Sequence, residues 1–314
     1  MNRVAFISHP DCLAHDSGAG HPEQPARVRA ITERLALTGL LDHLDCQDAP
    51  LAADSQLAPA HTSGYLQALQ TAHNRLIASQ SSQPIALDPD TFLAPHTLAA
   101  ARRAAGAAAL AADLVLSGTC SRAFCNVRPP GHHAHRNRVG GFCFLNNVAV
   151  GIYAALNRGI TRIALIDFDV HHGDGSEQIF AGDSRVLMLS TFALDLFPHT
   201  GLEPLGSNMV NVGLPAGADG ATLRRVLETR WMPAIEKFRP EILFVSAGFD
   251  AHIQDSIGNM RWTDNDYAWL TKEIVAIADR HCGGRIISVL EGGYNLAALA
   301  RCAELHVRGL ADLA

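Results

Sequence analysis

Acidic and imidazole side chains gather at Asp167, Asp169 and His171, spaced i, i+2 and i+4 in Asp167-Phe168-Asp169-Val170-His171-His172-Gly173-Asp174. In an extended chain these three project to one side while Phe168 and Val170 project to the other. Carboxylate and imidazole at that spacing can converge on one ion. Asp250, which ends another strongly apolar run with a bare carboxylate, supplies a further ligand from elsewhere in the chain. Three protein ligands with one position open to water is the catalytic arrangement for Zn²⁺, whose bound water ionises at about pH 7. Carboxylate-rich ligation also suits Fe²⁺ or Co²⁺. Read alone, Asp-x-Asp-x-His serves equally well as a helix cap or a turn; Asp250 and the neighbouring histidine clusters favour the metal.

Two adjacent imidazoles, His132 and His133, follow the rigid turn Pro129-Pro130-Gly131, which can present them to a pocket. One can take a proton from an attacking water while its neighbour stabilises charge or protonates a leaving amine. Asp167 and Asp174 are the acids available to orient two such rings. By itself a His-His pair reads more simply as surface. Gly292-Gly293-Tyr294 sets a phenol after two residues that permit close backbone approach, and a neutral phenol can donate to a carbonyl oxygen as it becomes an oxyanion. The plainer alternative is a turn with a packed ring. Phe142, after Gly140-Gly141, and Phe197 are core residues by default, but beside an established site they become walls of a narrow apolar channel.

These residues need a scaffold that delivers them to one place. Short apolar runs of strand length occupy Ala123 to Val127, Arg162 to Phe168, Arg185 to Leu189, Ile242 to Val245 and Arg285 to Leu290. Helical periodicity marks Val28, Ile31 and Leu35, then the Ala-rich stretch from Ala99 to Leu116, with further helices after Asn146, Asp219 and Thr263, the last opening as a capping box. Runs apolar on both faces, alternating with helices, predict an α/β protein with an open, doubly wound parallel sheet flanked by helices. Ligands bind such sheets at the carboxyl ends of the strands. Four of the runs lead directly into the chemistry: Arg128 to His133, Asp167 to Asp174, Gly248 to His252, and Glu291 to Asn295.

Composition narrows the field further. No repeat or linker divides the 314 residues, and only Ser79 to Pro84 resembles a loose polar loop, so residues 1–314 are read as a single catalytic domain. A formal net charge of -6 argues against direct nucleic-acid binding. Neither the short apolar run at Val4 to Ile7 nor the charge-bearing Ala-rich helix resembles a secretory signal or membrane span. Seven cysteines without a Cys-x-x-Cys pair fit a reducing cytoplasm. Oligomeric state leaves no mark on the sequence.

The motifs Arg-Pro-Pro-Gly-His-His at 128–133, Gly-Phe-Cys-Phe-Leu-Asn-Asn at 141–147, Asp-Phe-Asp-Val-His-His-Gly-Asp-Gly at 167–175, Gly-Phe-Asp-Ala-His at 248–252 and Leu-Glu-Gly-Gly-Tyr-Asn at 290–295 together resemble the histone deacetylase family. Their forms are most similar to the class II branch and its bacterial amidohydrolase relatives; acetylpolyamine amidohydrolases and acetoin-utilisation proteins belong to the same group. The resemblance implies an arginase-deacetylase fold and one Zn²⁺ on Asp169, His171 and Asp250. It pairs His132 with Asp167 and His133 with Asp174, and makes Tyr294 the residue that polarises the scissile carbonyl. Phe142 and Phe197, with Gly141, would line the acyl channel. Asp90 would grip substrate at the rim, and a K⁺ ion would lie near Asp167, Asp169, His171, Ser190 and Thr191.

Some positions depart from that pattern. Phe192 stands where histidine is common, and His199 replaces a usual glycine in the loop bearing Phe197. Ile257 is apolar where a polyamine-selective member is acidic, which removes one attraction for a cationic polyamine. The implied reaction is hydrolysis of an N-acyl amide, peptidyl or small, on a lysine-like or other primary amine. Rival readings are an acetylpolyamine amidohydrolase, a non-catalytic acyl-ligand binding module, and a two-metal arginase-type enzyme, which the His-His pair and Gly-Gly-Tyr disfavour.

Overall fold

The computed structural model describes residues 3–81 and 83–313, so Ser82 of the Ser79 to Pro84 loop lies outside the described residues. Eight strands form one sheet: β1 (Val4–Ser8), β2 (Asp45–Asp48), β3 (Arg122–Cys125), β4 (Ile163–Asp167), β5 (Val186–Ala193), β6 (Met209–Leu214), β7 (Ile242–Ala247) and β8 (Ile286–Leu290). They run in the order β2-β1-β3-β8-β7-β4-β5-β6, with every neighbouring pair parallel. Parallel pairing requires crossovers, and the intervening helices cover both faces.

Alternation within the strands serves two cores. Phe124, Ala164, Ile166, Leu243 and Val245 face one layer, which contains α1 (Ala26–Leu37) and, farther along the chain, helices Asp264–His281 and Leu296–Leu310. Ala123, Cys125, Ile163, Leu165, Ile242 and Phe244 face the other, built on α2 (Thr97–Leu116) and α3 (Asn147–Asn157). The alanines of α2 let neighbouring backbone come close: a Cβ on Gly106 would lie 1.9 Å from Pro50 O, and one on Gly151 of α3 3.0 Å from Ala108 Cβ. Burying two layers at roughly 25 cal/mol per Å² is the main force holding the sheet.

The predicted helix starts have physical caps. Asn146 accepts from Ala149 N–H at 3.0 Å and Asp219 from Thr222 N–H at 3.0 Å. At Thr263 the cap is carried by Asp266, whose carboxylate accepts both the Thr263 N–H and hydroxyl at 2.9 and 2.8 Å. Periodicity had not marked β1, β2 or β6 as strands, nor the helix Leu296–Leu310, which Asn295 caps directly after Tyr294. No helix among the described residues is long and apolar enough to cross a membrane. All seven cysteines are free thiols.

Candidate active site

Strands β3, β8, β7 and β4 are consecutive neighbours at the centre of the sheet, so the four loaded loops leave one edge side by side. β4 ends at Asp167, and the chain turns through Phe168 to His171 without remaining extended. Phe168 and Val170 nevertheless join the same core as Ala164 and Ile166, so Asp167, Asp169 and His171 keep to the opposite side; there Asp167 pairs with His132, whose Nδ1–H donates to Asp167 Oδ2 at 3.1 Å.

Asp169, His171 and Asp250 do converge, with ligand atoms all within 4.8 Å of one another and all three residues buried. His171 Nδ1 lies 3.0 Å from Asp169 Oδ1 and 3.2 Å from Asp250 Oδ2. The outward oxygens are held by backbone: Gly292 N–H donates to Asp169 Oδ2 at 2.7 Å, and Val170 N–H to Asp250 Oδ1 at 2.9 Å. Burial, reinforced by the Asp169 charge, raises Asp250 to about 7. Burial opposes charge on His171, yet hydrogen bonds to Asp169 and Asp250 push it up to about 10. Two desolvated carboxylates drawing on one imidazole make a centre short of positive charge, and that donor set fits a divalent ion.

A second cluster, His252, Asp264 and Cys302, has similar spacing but different chemistry. Arg301 already pairs with Asp264 at 2.8 Å, and burial raises the Cys302 thiol far above its ordinary value. It is a neutralised structural network.

The paired histidines occupy distinct environments. Burial disfavours charge on His132, but the carboxylates of Asp169 and Asp167 override it and hold its pKa well above the ordinary imidazole value. His133 is pushed down to about 4 by burial, aided by the His132 charge. Its Nδ1–H donates to Asp174 Oδ1 at 2.8 Å, which leaves Nε2 as the free base position. Burial raises the Tyr294 phenol well above its usual value, so it stays a neutral donor.

The apolar walls stand beside these groups. The Phe197 ring packs edge-on to His133 with centroids 4.9 Å apart, and Phe142 edge-on to Tyr294 at 5.9 Å. Gly141 is the spacer: a Cβ there would lie 2.4 Å from His133 Cδ2 and 2.9 Å from Phe197 Cε1. Asp90 is half-buried beside Asp88, and burial together with that neighbour raises it to about 6. His21 links Asp90 to the Phe142 wall, contacting the Asp90 carbonyl at 3.3 Å and packing on Phe142 at 4.7 Å. Ile257 is half-buried on a loop whose Asp255 accepts the Ile257 N–H through Oδ1 and those of Tyr294 and Asn295 through Oδ2. Phe192 is buried against His172 at 4.6 Å, and His199 keeps a left-handed backbone at φ 60° despite its side chain. Ser190 Oγ and Thr191 Oγ1 are buried without a hydrogen-bond partner among the described residues.

Several residues that position the site carried no role in the sequence reading. Glu291 accepts the Gly131 and His132 N–H groups at 2.7 and 3.1 Å, tying the histidine turn to the end of β8. Arg27 donates to the carbonyls of Gly293 and Glu291, and its guanidinium lies 4.8 Å from the centroid of the Tyr294 ring. Arg128 makes a buried two-pronged pair with Glu23 at 2.7 and 2.6 Å. Glu291 directly follows an apolar strand and was within reach of the strand-end rule; Glu23, Arg27 and Asp255 left no local signal.

Fold and site together define an α/β protein whose central strand ends carry a buried carboxylate-imidazole cluster able to hold a cation, beside two histidines and a neutral phenol. The histone deacetylase domain family matches residues 21–310, and the chain belongs to that family. It is 34% identical to a probable deacetylase of Archaeoglobus fulgidus, over 93% of this chain and 82% of the relative. It is 33% identical to a histone deacetylase-like amidohydrolase of Pseudomonas aeruginosa, over 96% of this chain and 84% of the relative. Type-2 histone deacetylase 2 of Dictyostelium discoideum is 32% identical over 99% of this chain, which spans 21% of that longer protein. The crystal structure of the HDA15 HD domain superposes with a TM-score of 0.91 at 29% identity, covering 99% of this chain and 90% of that one.

Proposed function

We propose that this chain, as one catalytic domain, hydrolyses N-acyl amides of lysine-like or other primary amines, with one divalent ion, Zn²⁺ foremost, held by Asp169, His171 and Asp250. The observation that carries the reading is the buried Asp169-His171-Asp250 cluster set among His132, His133 and the neutral Tyr294 phenol. Bound there, the ion would supply Lewis acidity and lower the pKa of water. His133, neutral and oriented through Asp174, takes a proton from the attacking water at Nε2 and returns it to the leaving amine. His132, held cationic by Asp169 and Asp167, stabilises negative charge on the reacting carbonyl. Tyr294 donates its hydroxyl proton in a hydrogen bond to that oxygen. Phe142, Phe197 and Gly141 shape an apolar passage that excludes water from the acyl stem.

The unpartnered Ser190 and Thr191 hydroxyls support a K⁺ ion near the Asp167 to His171 segment. A second substrate reading, an acetylated polyamine, is favoured by the adjoining Asp88 and Asp90 carboxylates; the apolar Ile257 speaks against it. Free thiols fit a reducing cytoplasm.

Metal content and turnover, measured together on acetyl-lysine peptide, trifluoroacetyl-lysine and acetylpolyamine before and after chelation, test these readings. One ion per chain with chelator-sensitive hydrolysis is the expected outcome, and the ranking of the panel separates lysine-like from polyamine substrates. A metal-loaded protein inert toward every substrate would favour a binding module.

A further inference from the structure

His135 takes no part in the chemistry above, yet it touches the same carboxylate. Asp174 Oδ1 holds His133 Nδ1 at 2.8 Å, while Asp174 Oδ2 lies 2.8 Å from His135 Nε2. Both rings and the carboxylate are buried. Burial opposes ionisation of Asp174, but hydrogen bonds from His133 and His135 override it and keep the carboxylate charged.

His135 is itself fixed. Its carbonyl accepts from His61 Nδ1–H at 2.9 Å, and its N–H donates to Arg138 O at 3.0 Å. Arg138 lies 2.8 Å from His135 Nε2 and 3.6 Å from Asp174 Oδ2, but its side chain is 64% exposed. One ring nitrogen cannot donate to Asp174 and accept from Arg138 at once, so the buried ring is the better anchor for Oδ2 and the exposed, more distant guanidinium the weaker one.

Anchoring matters because water lies close by. His135, Arg138 and Asp174 together line two open cavities of about 440 and 340 Å³, one also bordered by His199 and Glu203, the other by Asp88 and Phe197. A carboxylate held through one oxygen can pivot towards such water; one held through both oxygens cannot. We propose that His135 is a positioning residue for hydrolysis, clamping Asp174 so that His133 keeps its Nε2 on the reacting water. This rests on the hydrolytic reading above.

The test compares H135F, H135Q and H135A in the full chain. Loss of an outer partner of this kind costs about 10–100-fold in activity. H135F should lose that much in kcat, with KM and metal per chain unchanged, and H135Q, whose amide N–H reaches a similar place, should regain most of it. Should H135F not fold, H135A with added imidazole replaces it, and restored turnover is expected. Undiminished kcat in H135F, or a loss that neither glutamine nor imidazole repairs, overturns the proposal. If the parent hydrolyses nothing on the panel, the hydrolytic reading fails separately. The His133 Nδ1 proton resonance then decides: it shifts in H135F and returns in H135Q if the clamp exists, and stays unmoved in H135F if it does not.

Discussion

Two glycines give the centre its tightness. A Cβ on Gly292 would lie 2.1 Å from Asp250 Oδ2 and 2.5 Å from Asp169 Oδ2, and one on Gly248 would lie 2.2 Å from Asp169 Oδ2. Each glycine therefore lets backbone close over the carboxylates and aim them inward. Gly292→Ala should displace both acids while leaving every ligand in the chain; metal affinity should fall at least about tenfold, as for disturbed outer-shell groups, and a full equivalent retained on dialysis would refute it. On the proposed mechanism Tyr294 makes the complementary case, a residue needed for chemistry alone. Tyr294→Phe should keep metal content and Tm while losing about 2.7–4 kcal/mol of transition-state stabilisation, the cost of one oxyanion donor. Steady-state kinetics with an acetyl-lysine peptide reads this directly, and unchanged kcat would remove Tyr294 from the mechanism.

At the scale of elements, the loops after β3 and β8 are rigid because buried charges tie them together. Glu23 accepts both prongs of Arg128 and lies 3.3 Å from Arg27, so a segment before α1 holds the loop that carries His132 and His133 as well as the helix whose Arg27 secures Gly293. Burial opposes ionisation of Glu23, but the Arg128 charge keeps it well below the ordinary carboxylate range. Removing one partner leaves an uncompensated buried charge. Glu23→Ala should therefore destabilise the protein by about 3–5 kcal/mol, measured by urea unfolding, far more than loss of an exposed pair such as Arg280 with Glu236. Equal small effects from both pairs would show the network to be slack.

At the scale of the whole molecule, histidines buried without a carboxylate partner add an acid-sensitive contribution to stability. His306 hydrogen-bonds Thr271 and Ser288 and is pushed down to about 3 by burial; His61 is likewise pushed down to about 4. Their unfolded forms take up protons below about pH 6.5 while the folded forms do not. The stability they contribute is complete above that pH and falls as pH drops, by about 1.4 kcal/mol per unit for each histidine until its folded pKa is reached. Against the parent, the urea midpoint of His306→Gln should lose less between about pH 6.5 and 5, because this one contribution is removed while every other titrating group stays the same. A slope unchanged in that variant would remove His306 from the account.

Much of this molecule was legible beforehand. Apolar runs bounded by polar loops marked β3, β4, β5, β7 and β8, because a strand buried on both faces must be apolar throughout. The strand-end rule then pointed to Asp169, His171, Asp250, His132, His133 and Tyr294. Edge strands such as Asp45–Asp48 escaped because they are short and half-exposed. The chain alone thus determined which residues are candidates for the chemistry and what kind of sheet carries them. Tertiary structure decided the rest: that β3, β8, β7 and β4 are neighbours, that Asp167 pairs with His132, and that Glu23, Glu291 and His135 brace residues 39 to 160 positions away. Local pattern reports burial and turn chemistry, whereas the pairing of distant polar groups depends on crossovers that place one loop against another.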